Sequence, residues 1–198
     1  MKNLFILILI LISAFSFGQK DKKIKGRYTL NLVKVDSKTN NGTVDSGNSY
    51  KDSLININWT YESSRIAFNL KNESDQTIKV LWNDAAIIDI NGNTKRTFHN
   101  GIKYIDREKE QSPTSIYKGS SLSDLLSPIE NVSFISGKYG GWQIAPILKT
   151  KYNLLAEEFY DPELVDKKIK VALPLIINEK LAEYLFEFDI LFIEKKKK

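Results

Sequence analysis

The stretch that decides the fold lies near the end of the chain and reads Tyr184-Leu185-Phe186-Glu187-Phe188-Asp189-Ile190-Leu191-Phe192-Ile193. Every second side chain from Tyr184 to Phe192 is large and apolar, and the acids Glu187 and Asp189 lie between them. Because successive side chains of a strand point to opposite faces, this pattern predicts a β-strand with one apolar face. The strand should lie well inside a sheet.

The same period of two recurs along most of the chain. It predicts further strands at residues 28–32, 54–61, 65–70, 78–82, 87–90, 93–99 and 168–173. The polar residues 71–77 favour a turn, so we expect 65–70 and 78–82 to form a hairpin. Asn91-Gly92 is typical of a type I′ turn, in which both residues have positive φ. The strand after it is polar on both faces and suits a sheet edge.

Two other regions carry a weaker signal. Glycine and proline interrupt residues 101–136, where we predict irregular connections with short strands at 102–105 and 115–118. From Leu148 to Phe159 apolar residues recur at helical spacing, and Pro162 follows, which predicts a short helix. About eight to ten strands at this spacing are typical of a β-sandwich. Strands do not alternate with helices, which disfavours a parallel α/β fold.

Part of this pattern resembles the paired strands of exported bacterial immunoglobulin-like domains. The residues concerned are Ile66-Ala67-Phe68-Asn69-Leu70-Lys71-Asn72 and Ile78-Lys79-Val80-Leu81-Trp82. In those domains an apolar strand ends in Leu-x-Asn and a polar turn leads to the next strand. The chain is also similar to uncharacterised exported bacterial proteins that end in a strand like 184–190. The resemblance implies a domain that binds or supports other components, and it brings no catalytic residues.

We therefore predict a mainly β protein, an antiparallel immunoglobulin-like β-sandwich with one or two short helices. Residues 19–198 are enough for a single domain with one substantial core. The paired cysteines of antibody-type domains are absent, since the chain has no cysteine.

Residues 1–18 read as a signal peptide. Lys2 precedes an unbroken apolar run, Leu4–Ile12, and Ser16 and Gly18 supply small residues before a cleavage site at Gln19. The alternative is a retained membrane anchor, but the run falls short of the roughly 20 apolar residues that span a bilayer. We expect a periplasmic or extracellular product with no transmembrane segment in the mature chain.

The amino-acid composition excludes several classes of site and partner. The formal net charge is +5, without cysteine and with a single histidine, so thiol chemistry and a histidine-rich metal site within one chain are excluded. We expect no cofactor. Arginine-rich patches interleaved with aromatic residues are missing, which argues against a nucleic-acid partner. Lysines 20–25 and 195–198 suggest either contacts to an anionic partner or solvated termini, and we favour the second.

One catalytic hypothesis centres on His99 as a general base. Its candidate partners are the acids Asp84, Asp89 and Asp106 and the nucleophiles Ser115 and Ser120. A triad also needs a strained nucleophile turn, and no Gly-x-Ser-x-Gly occurs. We favour a solvent-facing histidine at a strand end, and we assign no catalytic residue.

A second hypothesis is a pair of carboxylates that hydrolyses glycosides. Adjacent Glu157 and Glu158 would point about 100° apart on a helix. Glu187 and Asp189 share one strand face, where simple solvation is expected. Calcium is the metal that this composition still allows, through a loop at 36–42, but a lysine occupies the third position of that loop, and we predict no metal site. Asp89–Asn93 is better explained by its hairpin.

The glycine-containing segment Lys138–Trp142 lacks the spacing of a phosphate-binding loop. Tyr139 and Trp142 are the weak ligand-binding candidates, because they could stack on a sugar or peptide. We favour a tight connection with Trp142 packed inward. Loops 36–48, 106–128 and 137–146 are the expected recognition surfaces.

These observations predict an exported, non-catalytic binding or structural component of a bacterial cell envelope, with an envelope protein or glycan as partner. Two alternatives remain open. One is an envelope polysaccharide or peptide hydrolase that uses carboxylates, and the other is a carbohydrate-binding module with Tyr139 and Trp142 exposed.

Overall fold

The secondary structure consists mainly of antiparallel strands. The computed structural model describes residues 24–37, 42–45, 47–150 and 158–195. The strands in these ranges are β1 (Lys25–Ser37), β2 (Thr43–Asp45), β3 (Ser49–Lys51), β4 (Ile55–Glu62), β5 (Arg65–Asn72), β6 (Ile78–Val80), β7 (Ala86–Ile88), β8 (Thr94–Phe98), β9 (Thr114–Ile116), β10 (Ser121–Pro128), β11 (Val132–Ile135), β12 (Gly141–Ile144), β13 (Glu158–Phe159), β14 (Lys168–Ile177) and β15 (Lys180–Glu194). The helical segments of the same ranges are single 3₁₀ turns at Trp82–Asp84, Tyr104–Asp106 and Ile129–Asn131.

Most of these strands form one curled sheet. Its order is β13-β1-β15-β14-β7-β8-β10-β5-β4-β3-β2, with β6 paired to β14 and β9. The side chain of Asn48, just before β3, accepts a hydrogen bond from Leu32 N at 2.6 Å and donates one to Leu30 O at 2.8 Å. Because Leu30 and Leu32 belong to β1, Asn48 links opposite ends of the strand order. The sheet therefore curls around its inner face.

The inner face carries the apolar half of the alternating pattern. β15 lies between β1 and β14, as its sequence predicts, and its aromatic side chains point inward. The Trp59 ring of β4 packs 4.8 Å from Phe186 and 5.7 Å from Phe188, measured between centroids. Full burial of an apolar side chain of this kind contributes about 1.5–3 kcal/mol. Contacts between the two opposed parts of one sheet thus build the core.

A buried carboxylate, Asp52, joins this core to a turn. Its Oδ1 accepts hydrogen bonds from the backbone N–H groups of Leu54 and Ile55, each at 2.8 Å. Its Oδ2 accepts from the Tyr184 hydroxyl at 2.9 Å and the Tyr50 hydroxyl at 3.1 Å. Burial, followed by the negative charge of Asp52, raises the pKa of Tyr50. Tyr50 therefore stays a neutral donor to the carboxylate.

The predicted hairpin between residues 65–70 and 78–82 is wrong. β5 pairs with β4 and β10, whereas β6 pairs with β14 and β9. The linking turn is held by Asn72, whose Nδ2 donates to Gln76 O at 2.7 Å and to Ile116 O at 2.9 Å. The Ser74 hydroxyl also donates to Asn72 Oδ1 at 2.7 Å. The polar segment is a turn, but it leads the chain to a different part of the sheet.

The Asn91-Gly92 hairpin is confirmed as β7–β8, although the type I′ turn is wrong. Gly92 has a φ of +81°, and Asn91 is not in the positive-φ region that a type I′ turn also requires. The Asp89 carboxylate instead accepts the N–H groups of Asn91 and Asn93, each at 2.9 Å. Partial burial opposes ionisation of Asp89, but these hydrogen bonds outweigh it and lower its pKa.

The weakly patterned regions differ most from prediction. Residues 121–128, expected to be irregular, form β10, which pairs with both β5 and β8. The expected strand at 102–105 is absent, and a 3₁₀ turn begins at Tyr104, whereas the strand expected at 115–118 corresponds to β9. The middle of the expected helix, 151–157, lies outside the described residues. Its end, Glu158–Phe159, is strand β13, because it pairs with Lys25 and Gly26 of β1.

Candidate functional site: a groove beside the β11–β12 hairpin

His99 lies at the end of β8 and pairs with Asp124 of β10. Its Nδ1 is 3.2 Å from Asp124 Oδ2. Its ring stacks on Trp82, with centroids 4.2 Å apart and 7° between the planes. The solvent-facing histidine predicted from the sequence is therefore wrong: the side chain is 15% exposed. The pairing of β8 with β10 brings His99 to Asp124, and the first 3₁₀ turn supplies the indole beneath the ring.

Further hydrogen bonds fix this corner of the sheet. Asp124 Oδ1 accepts from Asn100 N at 2.8 Å. The buried Gln111 side chain accepts from His99 N at 3.1 Å and donates to Thr97 O at 2.8 Å. Gly101 then turns the chain away with a φ of +86°. The segment that follows β8 is thus held in place at both its backbone and its side chains.

The predicted partners of His99 lie elsewhere. Asp89 caps its own turn, Asp106 pairs with Lys109 at 2.7 Å, and Asp84 is exposed. Within the described ranges no serine hydrogen bonds to His99. Ser115 lies opposite Lys79 in the β6–β9 pair, and the Ser120 hydroxyl donates to Tyr117 O at 2.7 Å. The structure therefore assembles an Asp–His pair without the predicted acids or nucleophiles.

The β11–β12 hairpin packs over a small second core. Val132 of β11 joins the buried residues Phe98 and Ile129, and Tyr104 and Ile144 pack against them. The hairpin is tied to the main sheet by Ile147 N, which donates to Ser63 O at 2.8 Å. Among the strands that the structure describes, β11 and β12 pair only with each other. The hairpin therefore rests on this cluster rather than on the main core.

Glycines shape the tip of the hairpin. Gly137 and Gly141 have φ values of +123° and +148°, a region that disfavours other residues. A Cβ on Gly140 would collide with the backbone oxygen of Ile135. In this tight turn Tyr139 is 89% exposed. The loop predicted at 137–146 is thus a turn followed by strand β12.

Trp142 stands on the hairpin at the surface. Its ring is 5.4 Å from Phe134 on the neighbouring strand and 6.0 Å from Tyr104, measured between centroids. The Arg107 guanidinium lies 5.4 Å from the Trp142 ring centroid and donates to Tyr104 O at 2.7 Å. Trp142 remains 40% exposed, so the inward packing favoured from the sequence is wrong. Its position across from Phe134 keeps it on the outer side of the second core.

A groove of about 440 Å³ lies between this hairpin and the segment after β8. Its apolar wall includes Tyr104, Trp142 and Ile144, and its polar wall includes His99 and Asn100. Ligand sites of small molecules typically have such a volume and combine apolar walls with a few polar groups. In a neutral histidine whose Nδ1–H is bound to a carboxylate, Nε2 is left as an acceptor. The groove can therefore offer both stacking and hydrogen bonding.

The predicted carboxylate pairs do not face one another across this groove. Glu187 is bound by Lys168 Nζ at 2.6 Å and Lys170 Nζ at 2.9 Å, and Lys168 also lies 3.1 Å from Asp189. Hydrogen bonds from Lys168 and Lys170 lower the pKa of Glu187 to about 2. The simple solvation expected for this face is wrong, because β14 places lysines beside the acids. Glu157 lies outside the described residues.

Several other expectations fall wholly or partly outside the described ranges. These are the loop at 38–41 within the calcium candidate, and the lysines at 20–23 and 196–198. Within the ranges that are described, no group of three or more His, Cys, Asp or Glu is arranged to hold a metal ion. The recognition loop predicted at 106–128 contains β9 and β10, so almost half of it is sheet.

Of the two aromatic candidates identified from the sequence, Trp142 lines the groove and Tyr139 does not, and the opposite wall was missed. Lys103 and Tyr104 follow β8 without any recognisable motif, and Asp124 lies in a strand that lacks clear alternation. The available signal was the pair Asn100-Gly101 just after a predicted strand, which favours a sharp turn. Pairing of β8 with β10, which brings these residues together, has no local signature.

No family model, curated protein or solved structure matches the chain. Among the described residues, no helix has the length and apolar character needed to cross a membrane.

Proposed function

We propose that the chain is an exported, non-catalytic binding protein of a bacterial cell envelope, and that it holds a carbohydrate chain in the groove beside the β11–β12 hairpin. The export signal at residues 1–18 supports the location. The two opposed parts of the sheet, packed around Trp59, support an immunoglobulin-like sandwich as the scaffold.

One observation carries the choice of ligand: Trp142 is presented at the groove by a glycine-shaped hairpin. Trp142 is not part of the main core, so the packing of that core does not explain why the hairpin holds this ring at the surface. An indole offers a flat apolar surface with a polar N–H at its edge. This suits the apolar face of a sugar ring, while His99 and Asn100 can hydrogen bond to hydroxyl groups.

A hydrolase is supported less well by the described acids. The shallow cavity that contains Asp84 and Glu183 has both residues exposed. Asp52 is buried, but its two oxygens are occupied by hydrogen bonds from backbone and tyrosine groups. Paired acids in glycoside hydrolysis instead flank the substrate from opposite sides.

The proposal is tested by affinity electrophoresis and calorimetry with soluble polysaccharides, both neutral glucans and uronic-acid polymers. We expect the protein to bind at least one of them and Trp142→Ala to weaken that binding about tenfold, the effect of losing a central aromatic contact. Tyr117→Ala is the matched control, because Tyr117 is an exposed aromatic that does not line the groove.

Two results would contradict the proposal. One is unchanged binding by Trp142→Ala, and the other is no binding to any polysaccharide in the panel. A stoichiometric protein recovered from envelope extracts by the wild type, and lost with Trp142→Ala, would replace the carbohydrate by a protein ligand.

A further inference from the structure

The charged side chains that line the groove have one sign. Arg65 and Lys103 contribute to the wall, and no acidic residue of the described ranges does. Arg107 lies directly behind Trp142. The partly buried carboxylate of Asp124 does not line the groove and is engaged by His99 and by Asn100 N. The surface that a ligand would touch is therefore basic and aromatic.

The basic groups differ in how far they are already neutralised. Arg65 pairs with Glu62, and Arg107 lies 3.5 Å from Glu108. Lys103 is exposed and has no ion pair with any residue of the described ranges. An exposed ammonium group at the edge of an aromatic groove attracts an anion, and the low-dielectric wall strengthens the interaction. Of these three basic groups, Lys103 is therefore the one whose positive charge is available to pair with an anionic ligand.

We propose that the groove is selective for an acidic polysaccharide, with a sugar ring stacked on Trp142 and its carboxylate paired with Lys103. This inference rests on the proposed function and specifies the class of sugar. A carboxylated sugar fits both features at once, because its ring has an apolar face and its carboxylate projects from the ring edge. Neutral sugars would leave Lys103 without a partner.

The test compares two forms of one polymer. Polygalacturonate carries a carboxylate on each sugar, and its fully methyl-esterified form has the same backbone without the charge. We expect the wild type to bind the charged form about twofold to fivefold more tightly, because Lys103 contributes one exposed charge pair. Lys103→Ala should weaken binding of the charged form about twofold to fivefold, the effect of one exposed charge pair, and leave the ester unchanged.

Control experiments distinguish failure of the acidic selectivity from failure of the proposed carbohydrate-binding function. Lys180→Ala, at an exposed lysine that does not line the groove, should bind both forms like the wild type. Equal, Trp142-dependent binding of both polymers would overturn the acidic selectivity and keep the carbohydrate site. Binding of neither polymer, together with no binding to neutral glucans, would overturn both proposals. Equally tight binding of polyglutamate, which has charge but no sugar ring, would reduce the interaction to charge alone and overturn the inference.

Discussion

The main core and the β11–β12 hairpin both contain clustered aromatic rings, but they use them differently. In the core, Trp59 and Phe186 are almost fully buried between opposed parts of the curled sheet. In the hairpin, Phe134 is 61% exposed, and Trp142 also faces solvent. Exposed aromatic surface gains little of the burial energy that stabilises a fold. The hairpin rings therefore contribute little to stability, while the core rings hold the protein together.

The backbone explains how the two regions can be separate. β15 is hydrogen bonded on both sides, to β1 and β14, so its side chains are fixed between two neighbours. The hairpin strands pair with each other alone and rest on the small cluster around Phe98 and Val132. Elements with few buried contacts open more easily than core strands. The hairpin should therefore tolerate substitutions that the core does not.

The largest expected effect comes from truncating one phenylalanine in each region. Phe186→Ala should lower the free energy of unfolding by about 3–5 kcal/mol, because it leaves a cavity beside Trp59. Phe134→Ala should change it by less than about 1 kcal/mol, because its ring is mostly exposed. Urea unfolding followed by circular dichroism measures both. Equal losses in the two variants would break the comparison between core and hairpin.

A second, somewhat smaller effect is expected at Asp52. Asp52→Ala removes the acceptor for two tyrosine hydroxyls and two backbone N–H groups, all near the core. Donors left buried without partners should cost about 3 kcal/mol of unfolding free energy. Asp45→Ala, at an exposed position in β2, is the matched control and should cost less than about 0.5 kcal/mol. A stable Asp52→Ala protein would mean that water replaces the carboxylate in this part of the core.

The sequence predicts best the elements whose pattern or turn can be read from adjacent residues. The alternation in 184–193 and 54–61 places Phe186 and Trp59 inward, and the structure confirms both faces. In a strand that buries one face, apolar and polar residues alternate in the sequence, whichever strands lie beside it. The Asn91-Gly92 hairpin is confirmed for the same reason, because its turn joins adjacent strands.

The elements that were missed depend on contacts between distant parts of the chain. β10 has weak alternation because three consecutive residues at its end, Leu126 to Pro128, are buried, and the last two pair with β8. The same pairing joins His99 to Asp124, so neither the partner of His99 nor the groove follows from spacing. Trp142 was assigned to the interior because large aromatic residues are usually buried. Its exposure depends on three glycines in a turn whose geometry the sequence alone does not reveal.

The smallest expected effect lies on the outer face of β15, opposite the aromatic core. Lys168 and Lys170 hold the pKa of Glu187 at about 2, below its ordinary value of 4.5. A carboxyl group with a lowered pKa in the folded state stabilises the protein above its unfolded pKa, and this stabilisation is lost as the pH falls toward the folded value. Glu187→Gln should therefore cost roughly 1 kcal/mol at neutral pH, since solvent screens the ion pairs. The difference from the wild type should shrink between about pH 4.5 and pH 2, and added salt should reduce it.

Glu130→Gln, at an exposed position outside this network, should show no such pH dependence. A pH-independent difference for Glu187→Gln would mean that packing against β14, rather than charge, stabilises this face.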